Sequence, residues 1–347
     1  MSRSPFPEEL LPGLFRIPVP LPGNPLKELN AYLLRGAQRS VLVDTGFRQS
    51  ACREALFAGL EALGCLDKPI DVVLTHLHSD HSGLAPEVAG TAGIIYVSRV
   101  DRPSLDDPEA RRVFWGMAER RFLEEGFPLL SLRHLNDTNP ARSMAPPTGG
   151  HYESLEDGQL LELGPWRLRC LLMPGHTPGQ MCFFLEEHNA ILLGDHVLFD
   201  ITPNITAWPA MPDALGSYLV SLERVRAYGG ALPLPGHRGR GDLTARVGQL
   251  TAHHQCRLEE AFAAVRDHPG AGAYTLAGYM SWKIRAASWA EFPETQKWFA
   301  VGECMSHLDH LAALGRIERR TADGRAAYFA RSGSVKDFAQ IGLQALE

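Results

Sequence analysis

The sequence predicts a mixed α/β layered fold followed by a small winged-helix-like module. Three observations carry this. Short apolar runs bounded by turn residues interleave with segments of helical spacing over the first part of the chain. Metal-seeking side chains recur at the ends of those runs. Beyond about Gly248 the pattern changes to helix, helix and β-hairpin. Strands alternating with helices bury their apolar faces by stacking in layers around one core.

The elements follow in order. "GLFRIPV", "NAYLLRG" and "SVLVDTG" read as opening strands. "ACREALFAGLEALG" has apolar residues at helical spacing and a closing glycine. "DVVLT" and "GIIYVS" are short buried strands. Residues 101–150 are charged, helical around "PEARRVFWGMAERRFLEEG", and a loop by composition from "NDTNPARSMAPPTGGH". They read as a lid-like insertion. Strands resume with "GQLLELG", "WRLRCLLM", "MCFFLEE" and "AILLGD". A helix around "ALGSYLVSLERVRAYGG" and the strand "ALPLPGH" follow. "QLTAHHQCRLEEAFAAVRDHPG" is a long helix stopped by Pro-Gly. "AYTLAGYMSW" and "ECMSHLDHLAALGRIERR" are further helices, and "ADGR" turns a hairpin ending in "AAYFARSG". The expected division is a catalytic domain over 1–247 and a helical, winged-helix-like domain over 248–347.

Composition narrows the partners. A net charge of -6 argues against coating nucleic acid or an anionic membrane by bulk charge. No apolar stretch has bilayer-spanning length. The proline- and acid-rich N-terminus is unlike a secretory signal. The six scattered cysteines form no C-x-x-C pair and read as reduced, mostly small core residues, so a cytoplasmic location is expected.

The sharpest signal is "THLHSDHSG", with His76, His78, Asp80 and His81 in six residues directly after a strand. Four such donors are costly to bury without a metal. His76 and His78, two apart in extended chain, share a side and could grip one ion. The turn starting at Ser79 would aim Asp80 and His81 at another. His176, Asp195 and His237 each end an apolar strand after a glycine, which lets the backbone approach a crowded centre. Seven donors suffice for two metals sharing one carboxylate. The other histidines default to packing or surface roles. Cys304, His307 and His310 have ligand-like spacing, yet read better as a helix face packing leucines.

These residues resemble the metallo-β-lactamase superfamily. H-x-H-x-D-H stands as His76, His78, Asp80 and His81, and the later ligand positions match His176, Asp195 and His237. "DTG" at Asp44–Gly46 also matches, with the aspartate supporting the metal loop. The resemblance implies an αβ/βα sandwich with the metals in a cleft at one edge. It also implies a metal-dependent hydrolase with two divalent ions, zinc first and iron or manganese as alternatives. His76, His78 and His176 would hold one ion, Asp80, His81 and His237 the other, and Asp195 both. A hydroxide bridging the metals would attack, with Asp80 as the catalytic residue that orients it. His196 is a candidate proton donor or simply a packing residue. Aspartate at 195, where β-lactamases usually carry cysteine, argues against antibiotic hydrolysis, and His78 argues against the flavodiiron oxidoreductases.

The expected substrate is a small thioester, lactone or related ester. Val113–Met117 and "EGFPLL" offer apolar surface that would suit an acyl group, with ordinary packing the preferred reading. The alternative is an endoribonuclease or phosphodiesterase whose C-terminal module binds nucleic acid, since "GRIERRTADGR" places four arginines in the wing. Against it, the stretch from Ala271 holds nine Lys/Arg against eight Asp/Glu, giving no strong basic field. Homodimerisation is a further open role for that module. A non-catalytic metal- or DNA-binding protein fits poorly with a full donor set.

Overall fold

The computed structural model describes residues 6–283 and 286–331. The chain divides into two compact units. The first comprises residues 1–111, 139–203 and 225–246, and the second residues 112–138, 204–224 and 247–347. The last segment of the second unit begins at residue 247. That unit also takes in 112–138 and 204–224. The end of the expected C-terminal domain, 332–347, lies outside the described residues.

The first unit is built on two sheets. Strands β1 (Glu8–Leu11), β2 (Leu14–Pro20), β3 (Glu28–Leu34), β4 (Ser40–Val43), β5 (Ile70–Val73), β6 (Ile95–Ser98) and β7 (Tyr152–Leu155) lie side by side in chain order. β1 to β4 pair antiparallel, and β4 to β7 parallel. The second sheet holds β8 (Leu160–Leu163), β9 (Trp166–Leu172), β10 (Met181–Leu185), β11 (Ala190–Gly194) and β12 (Leu232–Pro235), with β11 and β12 parallel.

Alternation along the strands divides the core. Phe15, Ile17, Leu29 and Leu33 bury against Leu56 and Leu60 of the helix Ser50–Ala62. Leu14, Tyr32, Leu34, Val41 and Val43 turn the other way and pack with Leu168, Cys170, Phe183 and Leu192 of the second sheet. This is the expected αβ/βα sandwich. Its parallel strands leave several C-terminal ends free to carry functional loops.

The second unit is helical, with helices at Leu129–Thr138, Ala214–Val225, Leu243–Asp267, Ala273–Ala277 and Glu294–Ala313. A hairpin of β13 (Ile317–Ala322) and β14 (Arg325–Ala330) turns at Asp323 and Gly324, both with left-handed φ. The helix Leu129–Thr138 overlaps a segment expected to be loop. Leu132 and Leu135 explain it, because both are buried at helical spacing on one face. The helix expected from Gln249 begins earlier, at Leu243. Among the described residues no helix is long and apolar enough to cross a membrane.

Several polar groups are buried in the second unit. Glu125 accepts from the Tyr328 hydroxyl (2.9 Å) and from Arg319 Nε (3.1 Å), and pairs with Arg121 Nε at 3.0 Å. Cys304, His307 and His310 are buried on one helix but engaged separately. His307 Nδ1 donates to the Glu303 carbonyl and its Nε2 faces His254 Nδ1 at 3.2 Å, while His310 Nδ1 faces Asp213 at 2.9 Å.

Burial lowers the His307 pKa to about 3, and nearby Arg257, His253 and His310 push the same way against the Glu303 carbonyl. Burial also holds His254 well below its ordinary value. A histidine whose folded pKa is depressed stabilises fully above the unfolded pKa near 6.5 and loses that contribution as pH falls. The second unit should therefore weaken below pH 6.5, by roughly 1 kcal/mol per pH unit for His307 down to about pH 3, with His254 acting in the same direction. Near-ultraviolet dichroism against pH would show this, with a shallower slope in His307→Leu. Equal slopes would remove these histidines from the account.

Candidate metal centre

The C-terminal ends of the parallel strands build one site. Asp44 follows β4, His76 to His81 follow β5, Asp101 follows β6, Asp195 follows β11 and His237 follows β12. His176 stands after β9. All seven sequence-predicted donors are gathered. His76, His78 and His176 form one group, His76, His81 and Asp195 a second, and Asp80, His81 and His237 a third, each with its ligand atoms within 4.8 Å of one another. The short helix Ser79–Ser82 begins directly after His78, so the chain turns there as the spacing implied.

The protonation pattern decides what the site can hold. His81 Nδ1 donates to Asp44 Oδ2 at 2.7 Å, and His237 Nδ1 donates to the Glu28 carbonyl at 2.8 Å. Each ring, when neutral, therefore presents a lone pair at Nε2, and the two Nε2 atoms face each other at 3.2 Å. Asp195 Oδ1 is buried without a hydrogen-bond partner among the described residues, 3.5 Å from His81 Nε2 and 3.4 Å from His237 Nε2. Asp80 Oδ2 lies 3.5 Å from His237 Nε2. Converging lone pairs and carboxylate oxygens repel one another unless a cation or protons lie between them. The donor set therefore fits divalent metal ions.

The electrostatics agree. Burial would lower the His237 pKa, but the Asp195 and Asp80 carboxylates outweigh it and raise it to about 9. His81 is raised for the same reason, with Asp44 contributing most of the opposing pull. Burial would raise the Asp80 carboxyl, yet His81 and His237 bring it down to about 2. In the other group, His78 Nδ1 lies 3.0 Å from His76 Nε2 and 3.1 Å from His176 Nε2. Burial, together with the neighbouring imidazoles, lowers His78 to about 3 and holds His76 well below its ordinary value, so these rings stay neutral and ready to ligate.

Two glycines make the close approach feasible. A Cβ on Gly236 would come within 2.7 Å of Asp195 Oδ1 and 2.9 Å of His81 Cε1. A Cβ on Gly179 would come within 2.4 Å of Asp101 Oδ1.

Asp101 was not singled out by the sequence. Its buried carboxylate accepts from Leu77 N (3.0 Å), Thr177 Oγ1 (3.0 Å) and Gly179 N (2.8 Å). It thus ties the segment carrying His76 and His78 to the turn carrying His176. Burial raises its pKa to about 6 against the pull of those three donors. The only trace in the sequence is "HTPG", whose threonine and glycine serve this carboxylate. His196 is fully buried and belongs to none of the three donor groups.

Residues 27–237 match the metallo-beta-lactamase superfamily. A metallo-beta-lactamase family protein from Thermus thermophilus is 33% identical with a TM-score of 0.76, over 93% of this chain and all of that one. The atrochrysone carboxyl ACP thioesterase of Aspergillus novofumigatus is 26% identical over 80% of this chain and 72% of its own. An acyl-coenzyme A thioesterase of Gallus gallus is 29% identical over 56% of this chain and 66% of its own. With the sandwich and the gathered histidines and aspartates, these matches show that this chain belongs to the metallo-beta-lactamase superfamily and is a hydrolase.

Proposed function

We propose that the protein hydrolyses small thioesters at a dinuclear metal centre. The observation that carries the reading is Asp195. One of its oxygens lies near His81 and His237, and the other 3.7 Å from His176 Nε2. A single carboxylate thus reaches both ends of the donor set. His76, His78 and His176 would hold one ion, Asp80, His81 and His237 the other, and Asp195 both. Zinc suits these imidazole and carboxylate donors, as do iron and manganese. When bound, the ions supply Lewis acidity, lowering the pKa of a water and polarising the substrate carbonyl.

The protein's own groups do the rest. Asp44 and the Glu28 carbonyl hold protons at the Nδ1 atoms of His81 and His237, which fixes both rings with Nε2 toward the centre. Asp80, ionised throughout the neutral range, is placed to orient the attacking water and accept its proton. The thioesterase names of two relatives support the substrate class.

Two of the four hairpin arginines that favoured the nucleic-acid alternative are paired within the second unit. Arg319 is paired with Glu124 and Glu125, and Arg320 with Glu318. Both are engaged in ion pairs within the second unit. The decisive experiment is turnover of a panel of thioesters, lactones and RNA by metal-loaded protein, repeated with Arg320→Ala/Arg325→Ala. The thioesters should be cleaved at the same rate by both proteins. Efficient RNA cleavage with no ester hydrolysis, abolished in the double variant, would reverse the assignment.

A further inference from the structure

Beside the turn that carries His237, the first unit holds a cavity of about 190 Å³ whose lining includes Arg16, Arg238, Arg240, Asn30, Tyr32 and Glu8. Three guanidinium groups face one acidic side chain there, in a protein whose net charge is -6. Their states differ. Arg16 is buried, with Nε donating to Asn30 Oδ1 at 2.6 Å and Nη2 to Glu28 at 2.5 Å. Among the described residues Arg238 Nη2 donates only to a neutral acceptor, the Pro25 carbonyl at 2.6 Å, and its buried Nε has no acceptor. Arg240 is exposed and has no ion pair or hydrogen bond among the described residues. Among the described residues, two of the three positive charges on this cavity therefore have no carboxylate partner.

The walls are rigid. The Asn30 amide donates to the Pro235 and Arg238 carbonyls at 2.9 and 3.0 Å, and the Tyr32 hydroxyl donates to the Pro235 carbonyl at 2.8 Å. Arg238 is fixed at φ 62°, a left-handed backbone that a non-glycine residue adopts only when its surroundings impose it. Guanidinium forks around a concave site recognise oxyanions, and several of them together favour a multiply charged tetrahedral group over a single carboxylate.

We propose that this cavity is a phosphate-binding site. Its ligand is a phosphate ester group, carried either by the leaving-group side of the thioester substrate or by a free phosphate compound. The first source rests on the thioesterase reading; the site itself does not.

Calorimetric titration of inorganic phosphate into the metal-loaded protein at low ionic strength tests the site directly. Arg240→Gln and Arg238→Gln serve as comparisons, the first removing a side chain on which no described contact depends. Loss of one charge-assisted contact should weaken a phosphate site by about tenfold or more. Identical isotherms for the native protein and both variants would place all binding at the metals and overturn the proposal.

Hydrolysis of the same acyl group on coenzyme A and on phosphate-free N-acetylcysteamine then identifies the source. A roughly tenfold fall in the ratio of the two kcat/KM values in Arg240→Gln means that the substrate brings the phosphate. An unchanged ratio with weakened phosphate binding means a free phosphate ligand. If neither thioester is cleaved, the thioesterase reading fails, while the isotherms still decide the cavity.

Discussion

Asp195→Ala is expected to lose metal and activity together. Its carboxylate lies within 3.7 Å of imidazole nitrogens at both ends of the donor set. Its removal should therefore lower the occupancy of both ions rather than one. Turnover should fall by at least a hundredfold to a thousandfold, the order seen when a preorganised electrostatic group is deleted from an active site. His196→Ala is the control, since His196 belongs to none of the donor groups and its removal should leave both metals in place. Elemental analysis alongside turnover makes the comparison. Two tightly held metals and full activity in Asp195→Ala would show that the ligands are assigned wrongly.

Asp44→Ala should damage stability and metal binding at once. The carboxylate accepts from His81 Nδ1 (2.7 Å), Thr75 N (2.9 Å) and Thr75 Oγ1 (2.8 Å), all buried. Removing it strands three donors, at roughly 2–4 kcal/mol in total after relaxation. Asp44 also sits at φ 60°, where aspartate is tolerated better than alanine. Freed of its orienting partner, His81 should bind metal about 10- to 100-fold more weakly.

Asp44→Asn separates the two effects. It keeps the shape and can still accept from Thr75, but an amide NH2 facing His81 Nδ1 would drive the ring proton to Nε2, where the metal must sit. The asparagine variant should melt near the native temperature and bind metal poorly. Native metal affinity in Asp44→Asn would mean that the tautomer of His81 is not set by Asp44.

The sequence by itself determined the mixed α/β layers and, through its family resemblance, the sandwich, and it named the seven side chains that the structure gathers. Strand ends are visible as apolar runs that stop at glycine, and histidines crowded at one of them have few other uses. His76, His78, Asp80 and His81 are local, so their spacing could be read directly. The remaining candidate ligands were legible because each repeats the same device at the end of another strand.

What only the tertiary structure decided depends on partners far apart in the chain. Asp101 bonds to Thr177 and Gly179 across 76 and 78 residues, and nothing near Asp101 announces it. Arg319 looked like a phosphate-gripping residue of the wing until Glu124 and Glu125, nearly 200 residues earlier, were found beside it. The helix Leu129–Thr138 runs on into residues 136–138, which read as loop by composition, and the burial of Leu132 and Leu135 on one face settles it. Periodicity reports which face of an element seeks a core. It does not report which distant charge or hydrogen-bond donor will meet a side chain there, because that choice is made by the packing of the whole unit.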